Sequence, residues 1–294
     1  MSRLNLFFLQ LINGLNIGSI YALIALGYTM VYGIAKLINF AHGDIIMVGA
    51  YISLLCLNAG LPWYLACIVS IVVCSLFGIV MEKLAYKPLR KASRISLLIT
   101  AIGVSYLLEN SFQLIFSANP KPYPGFIGLP TLKIGAVSIS ANYYVTFVVS
   151  VALMIILNLF VQKTSLGKAM RAVSEDEGAA RLMGINVDNT ISLTFAIGSA
   201  LAAIAGILYS NCYSPINPTM GSLPGIKAFI AAVLGGIGSI PGAVLGAFIL
   251  GMIETMVKAY ISSQLLDSIV FAILILMLAL KPAGILGKSV KEKV

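Results

Sequence analysis

From Leu4 to Ala35 the chain carries no charged residue, and comparable uncharged runs recur at Ala141–Gln162 and Asn189–Ile226. About 20 apolar residues in a helix cross the roughly 30 Å hydrocarbon core of a bilayer. In hydrocarbon every backbone N–H and C=O must find its partner within the protein, which long apolar helices achieve. The expectation is an all-α, polytopic membrane protein. Of the 294 residues, 60% are hydrophobic and 10% charged. Soluble domains carry about 45–50% apolar and about 25% charged residues.

The few charges are clustered. Of 19 Lys and Arg, five lie in Lys83–Arg94, four in Lys163–Asp188 and four in Lys281–Val294. Basic clusters beside spans mark cytoplasmic loops. The net charge of +9 is therefore read as topology and not as affinity for nucleic acid. Counting from these loops places the C-terminus inside and the N-terminus outside, with Arg3 as a weak contrary signal. The chain opens without a basic region, short apolar stretch and small-residue cleavage site, so the first segment is expected to stay in the mature protein. Cys56, Cys67, Cys74 and Cys212 lie in or beside apolar runs without a CxxC pair. They read as small buried hydrophobes.

Spans are expected at Leu4–Ala35, Ile45–Leu57, Pro62–Val80, Ile95–Phe116, Tyr143–Val161, Ile191–Cys212 and Leu265–Leu280. In the first, Gly14 and Gly18 form a GxxxG pair suited to close helix approach. Tyr21, Tyr28 and Tyr32 continue that face as either packing or pathway lining. Trp63 and Tyr64 read as interfacial anchors. A carboxylate within the Ile95–Phe116 span is costly, and Glu109 lies near its outer end, where snorkelling would lower that cost. Ser117–Asn142, with Pro120, Pro122, Pro124 and Pro130, reads as an outer cap holding a short strand pair. Ile226–Glu254 is interrupted by GGIGSIPG, residues 235–242, and should form either two short crossings or a re-entrant hairpin. Gly235, Gly236 and Gly238 are pathway candidates there, because transporters place sites at Gly-interrupted helices. The total is about eight membrane segments, including this broken or re-entrant pair.

Lys36–Asp44, KLINFAHGD, holds the chain's only histidine, His42, beside Asn39 and Asp44. Two readings stand: a polar turn at the membrane surface, or a broken helix lining a cavity or gate. Irregular backbone survives at membrane depth only where protein or water satisfies it. Too few ligands gather here for a metal site.

The segment Lys163–Asp188 carries eight charges in 26 residues between apolar runs. Ser174 and Glu177 have capping-box spacing. Three acids, Glu175–Glu177, suit the positive end of a helix dipole. Gly184 can take the left-handed position that ends a helix. The predicted helix, 175–183, is about 14 Å long and marginal on its own in water. It should therefore dock, through Leu182, Met183 and Ile185, either on its own bundle or on a separate cytosolic partner.

GILGKS near the end misses the phosphate-loop pattern, since Pro282 stands where the first glycine belongs, with no strand before it. No paired acids, Ser–His–Asp set or metal cluster is evident. The chain is not expected to hydrolyse ATP. An ion-coupled transporter would want paired intramembrane acids. Asp44, Glu109, Glu254 and Asp267 are its candidates, none with a clear partner in sequence. A structural membrane subunit without a pathway is the remaining rival.

NGLNIGSIYALIALGYTMVYGIAKLINFAHGD, TSLGKAMRAVSEDEGAARLMGI, IAAVLGGIGSIPGAVLGAFILG and KPAGILG together resemble the integral-membrane permease subunits of bacterial ABC importers for branched-chain amino acids. The likeness covers nearly the whole chain, and permeases for urea and short amides share these patterns. The resemblance implies one transmembrane permease domain over 1–294, with 163–188 as its cytoplasmic coupling segment. It implies a second permease chain, two cytosolic ATP-binding subunits that hold ATP and Mg, an external binding protein and the bacterial cytoplasmic membrane. The chain itself is expected to need no cofactor. The general importer loop carries Glu-Ala-Ala, three residues, then Gly. Ala179, Ala180 and Gly184 fit; Gly178 stands where Glu is expected, Glu177 is one place early, and the downstream Leu-Pro is absent. Ser174, Glu177, Ala179, Ala180, Leu182, Met183 and Gly184 are the coupling residues so implied.

Overall fold

A computed structural model describes residues 3–90, 92–134 and 137–287. Lys91 and the basic tail 288–294 read above lie outside the described residues. The helices are α1 (Arg3–Ala35), α2 (His42–Asn58), α3 (Trp63–Met81), α4 (Arg94–Phe116), α5 (Ala141–Lys163), α6 (Ser165–Glu175), α7 (Glu177–Leu182), α8 (Val187–Cys212), α9 (Ser222–Gly235), α10 (Ile240–Tyr260) and α11 (Leu266–Leu280). A π-helical turn, Glu82–Tyr86, and a 3-10 turn, Lys87–Leu89, extend α3. Helices α1, α3, α4, α5, α8 and α10 are long and apolar enough to cross a membrane, and α2, α9 and α11 are shorter apolar helices. The protein is a polytopic all-α membrane protein, and the Gly-interrupted stretch supplies two of its helices.

Burial sorts these helices. Most of α1 and α8 is enclosed, together with α2 and much of α9 and α10. Around them α3, α4, α5 and α11 expose large apolar side chains, among them Ile68, Leu76, Leu107, Leu114, Ile156 and Ile275. In water such a surface would be an aggregation liability. In lipid it is the solvated face.

Small residues set the central contacts. A Cβ on Gly14 would sit 2.7 Å from Met252 Sδ, and one on Gly18 would lie 3.0 Å from the Phe248 Cα. From the other side, a Cβ on Gly251 would meet the Gly18 nitrogen at 2.5 Å. The GxxxG pair thus seats α10 on α1 with a third glycine opposite. Tyr21 and Tyr28 are buried within this core.

The connection between α4 and α5 is tied down as a cap. Strands β1 (Leu132–Ile134) and β2 (Val137–Ile139) pair antiparallel, as the alternating pattern predicts. Lys121 and Ile216 exchange backbone bonds of 2.8 and 2.9 Å, joining this cap to the segment after α8. Trp63 stacks on Phe126 of the cap at 5.7 Å. The Tyr123 hydroxyl lies 2.9 Å from Ser53 Oγ, and burial pushes that phenol up to about 12.

Two irregular segments enter the bundle. Helix α9 has 14 residues, about 21 Å, too short for a full crossing. Its last turn lies near the end of α1, where Gly33 faces Gly238. Its first turn therefore stops at mid-depth. There Gly221 abuts the backbone of Gly43, and a Cβ on Gly221 would fall 2.1 Å from the Gly43 oxygen. The chain leaves α1 at Lys36, a non-glycine residue at φ 54°, and re-enters as non-helical backbone before α2 starts at His42.

Candidate functional site

The polar island folds as two helices. Thr164 caps α6 by accepting from the Gly167 N–H at 3.0 Å. The predicted capping box is overturned: Ser174 lies inside α6, where its hydroxyl donates to the Arg171 carbonyl at 2.7 Å. Asp176 is the cap of α7, accepting from the Ala179 N–H at 2.9 Å. Aspartate is as good an N-cap as serine, and its extended backbone (φ −154°) breaks the helix before α7 begins. Helix α7 is thus six residues long and starts at Glu177, shorter than the predicted 175–183. Gly184 ends it at φ 81° as expected; the Ile185 N–H reaches the Ala180 carbonyl at 3.0 Å.

Its side chains divide cleanly. Ala180 is buried and Ile185 packs partly against the core. Leu182 is 90% exposed and Met183 82%. So Ile185 anchors the island on its own bundle, while Leu182 and Met183 face away from it.

Beneath α7 lies a charge network. Glu82, fully enclosed in the π-turn, accepts from Arg90 Nη2 and from the Ser192 hydroxyl of α8. Arg90 Nη1 also meets Asp188 Oδ1 at 2.7 Å, and Lys87 Nζ meets Asp188 Oδ2 at 2.8 Å. Arg181 of α7 approaches the same carboxylate at 3.9 Å. From the same π-turn the Tyr86 hydroxyl donates to Asn39 Oδ1 at 2.6 Å. Side-chain contacts therefore run from α7 through Asp188 to Arg90 and Glu82, and the π-turn that carries Glu82 also reaches Asn39. A cavity of about 530 Å³ opens here, lined by Lys36, Lys87, Arg90, Glu177, Arg181 and Asp188 among others.

Asn39, His42 and Asp44 are 3%, 1% and 1% exposed. The non-helical approach carries them into the interior of the bundle, where they are not exposed as a surface turn would be. The backbone break is present, and the three side chains are packed within the bundle. His42 stacks edge-on to Tyr28 at 4.7 Å. Its Nε2 and Asp44 Oδ2 are buried without a hydrogen-bond partner. Glu109 does not snorkel: it takes a hydrogen bond from Ser222 at the start of α9.

Gly235, Gly236 and Gly238 lie at the end of the bundle that carries the basic loops, not at mid-depth. Gly236 and Gly238 have φ of 111° and 93°. The Ile285 and Leu286 N–H groups donate to the Leu234 and Gly235 carbonyls, each at 2.9 Å. KPAGILG thus seals the elbow that GGIGSIPG makes, and two motifs read separately form one unit. Gly238 lines a cavity of about 80 Å³ with Gly33, Met170, Arg171 and Ser174. The elbow and the island share that cavity.

A family profile described as branched-chain amino acid transport system / permease component matches residues 10–279. The chain belongs to that permease family. It is 43% identical to the high-affinity branched-chain amino acid transport system permease protein LivH of Salmonella typhimurium, with both chains covered in full. It is 45% identical to BraD of Pseudomonas aeruginosa over 97% of each chain. A probable LivH of Methanocaldococcus jannaschii is 31% identical over 93% of this chain and 90% of that one. These relatives are named as permease components of transport systems, and the chain is a permease of that kind.

Sequence reasoning missed Glu82, Arg90 and Lys227 as participants. For Lys227 a signal existed: it is the one charged residue between Asp188 and Glu254. The Glu82–Arg90 pair had no periodic signal, since a π-turn and a Pro88-containing 3-10 turn lie between them.

Proposed function

We propose that this chain is the membrane permease of an ABC importer, moving branched-chain amino acids inward. It pairs with a second permease chain, receives substrate from an external binding protein and is driven by two cytosolic subunits that hold ATP and Mg. The basic loops and C-terminus face the cytoplasm of a bacterial cell, and the chain is multi-pass in its cytoplasmic membrane. One observation carries the reading: a capped helix on the polar island with Leu182 and Met183 turned away from their own bundle. Two exposed apolar side chains at the end of a capped six-residue helix suit a groove on a soluble partner. Glu177, Ala179, Ala180 and Gly184 shape that element, and Ser174 lies in α6 just before it. A movement of α7 reaches Asp188 through Arg181, then Arg90 and Glu82, and through the shared π-turn Asn39.

Asn39, His42 and Asp44 act as the gate at mid-depth. Their support is the pair of orphaned buried atoms, which cost stability unless another state of the protein gives them partners. The relatives' names support the substrate class.

The test is uptake into liposomes carrying the permease, its partner subunits and the binding protein. Leucine, isoleucine and valine should accumulate only with ATP on the side of the ATP-binding subunits. Accumulation of urea or acetamide without amino acid uptake would reassign the substrate. Uptake that follows an ion gradient without ATP would defeat the importer reading. In the same assay, Asp44→Ala with His42→Ala should abolish most uptake while the complex still assembles; normal uptake would return these residues to packing.

A further inference from the structure

Among the described residues Lys227 is the one buried cation. It sits on α9, and its Nζ bridges Glu254 Oε1 of α10 at 2.9 Å and Asp267 Oδ1 of α11 at 2.8 Å. The Tyr21 hydroxyl of α1 donates to the other Glu254 oxygen at 2.8 Å. Four helices meet at this cluster. Ionisable residues at membrane depth are costly and by default mark a working site.

Geometry places the cluster away from the basic loops. Glu254 lies 14 residues beyond Ile240, about 21 Å along α10. Asp267 is in the first turn of α11, whose other end leads into KPAGILG. On the topology proposed above, which this inference rests on, Glu254 and Asp267 lie toward the outer side of the membrane, and the Lys227 side chain reaches out to them from the second turn of α9. Lys227 and Glu254 side chains are 10% and 11% exposed, whereas Asp267 is 52% exposed. One member is therefore reachable while the other two are closed.

We propose that Lys227, Glu254 and Asp267 form an outer charge lock that takes the two charged ends of a zwitterionic α-amino acid. A zwitterion leaving water must find a partner for each charge. Here it exchanges like for like: its carboxylate replaces a carboxylate on Lys227, and its ammonium replaces Lys227 on Glu254 or Asp267. Every charge stays paired through the exchange. A ligand without the ammonium leaves the displaced carboxylate unpaired, and one without the carboxylate has nothing to displace Glu254 or Asp267 from Lys227, so opening the lock takes both charges of a zwitterion. Unlocking frees α9 from α10 and α11, and α9 begins beside Gly43 at the gate.

The experiment compares variants in the reconstituted complex, with leucine uptake read against co-purification of the partner subunits. Lys227→Met alone strands two carboxylates and is expected to assemble poorly. Lys227→Met/Glu254→Gln/Asp267→Asn leaves no charge to strand, so it should assemble; its uptake should fall by about 30-fold or more, about one and a half tenfold steps in transport efficiency. Lys227→Arg keeps the charge and should retain uptake. The swap Lys227→Glu/Glu254→Lys keeps both signs and should recover uptake relative to the triple variant. An assembled triple variant with wild-type uptake would overturn the proposal and leave a structural ion cluster. A wild-type complex that moves no amino acid would instead defeat the importer reading.

Discussion

Arg90→Met should sharply lower the thermal stability of the purified permease in detergent. Glu82 is fully enclosed and keeps only Ser192 once the guanidinium is gone. Breaking a buried ion pair by removing one partner costs about 3–5 kcal/mol, because the other charge stays buried and unpaired. That is a large share of a typical net stability of about 5–15 kcal/mol. Arg90→Met with Glu82→Gln removes both charges and should recover most of the loss. Asp188→Asn should cost far less. Asp188 is 39% exposed and its Lys87 partner 45%, and exposed pairs contribute about 0–1 kcal/mol. An Arg90→Met protein that melts with the wild type would show that Glu82 is held by other means. The double variant carries a second reading. Arg90 ties the start of α8, next to α7, to the end of α3. If that joint transmits movement, the double variant should be stable and yet respond weakly to substrate in ATP hydrolysis by the complex.

The long helices were legible because each is written in one place: an uncharged run, a terminating glycine or proline, a basic flank. The GxxxG seat of α1 and the strand pair of the outer cap were legible for the same local reason. What escaped depended on contacts between distant segments. Glu254 and Asp267 had no partner in sequence because their partner, Lys227, lies 27 residues before Glu254 on another helix. Glu109 read as a snorkelling acid because Ser222, 113 residues away, is the group that turns it inward. Ser174 matched a capping box, yet the cap fell to Asp176, because α6 extends to Glu175 and packs Met170 and Val173 into the core. Tertiary burial of one helix thus decided where the next one starts. KLINFAHGD offered a polar cluster but not its depth, which depends on the short α9 and on Gly221 meeting Gly43.

Truncation of the island's two outward side chains should uncouple the complex without harming the permease itself. Leu182 and Met183 are 90% and 82% exposed, so they contribute almost nothing to the isolated fold, and surface changes of this kind stay within about 0.5 kcal/mol. In a docked complex the same atoms would be buried at the centre of a contact. Hot-spot truncations cost about 2–4 kcal/mol, which at 1.4 kcal/mol per tenfold weakens docking by roughly 30-fold to nearly 1000-fold. The contrast between those two numbers is the test. Leu182→Ala and Met183→Ala should leave the melting temperature of the permease unchanged while lowering recovery of the ATP-binding subunits and substrate-stimulated ATP hydrolysis. Gly184→Val should act by another route. Its φ is 81°, a conformation that a β-branched residue resists, so the end of α7 would be redirected with both apolar contacts still in place. The outcome that defeats the coupling role is specific: all three variants form the complex, and substrate stimulates hydrolysis as in the wild type. Exposed Leu182 and Met183 would then be no more than a loop's surface, and force from ATP would have to enter the bundle elsewhere.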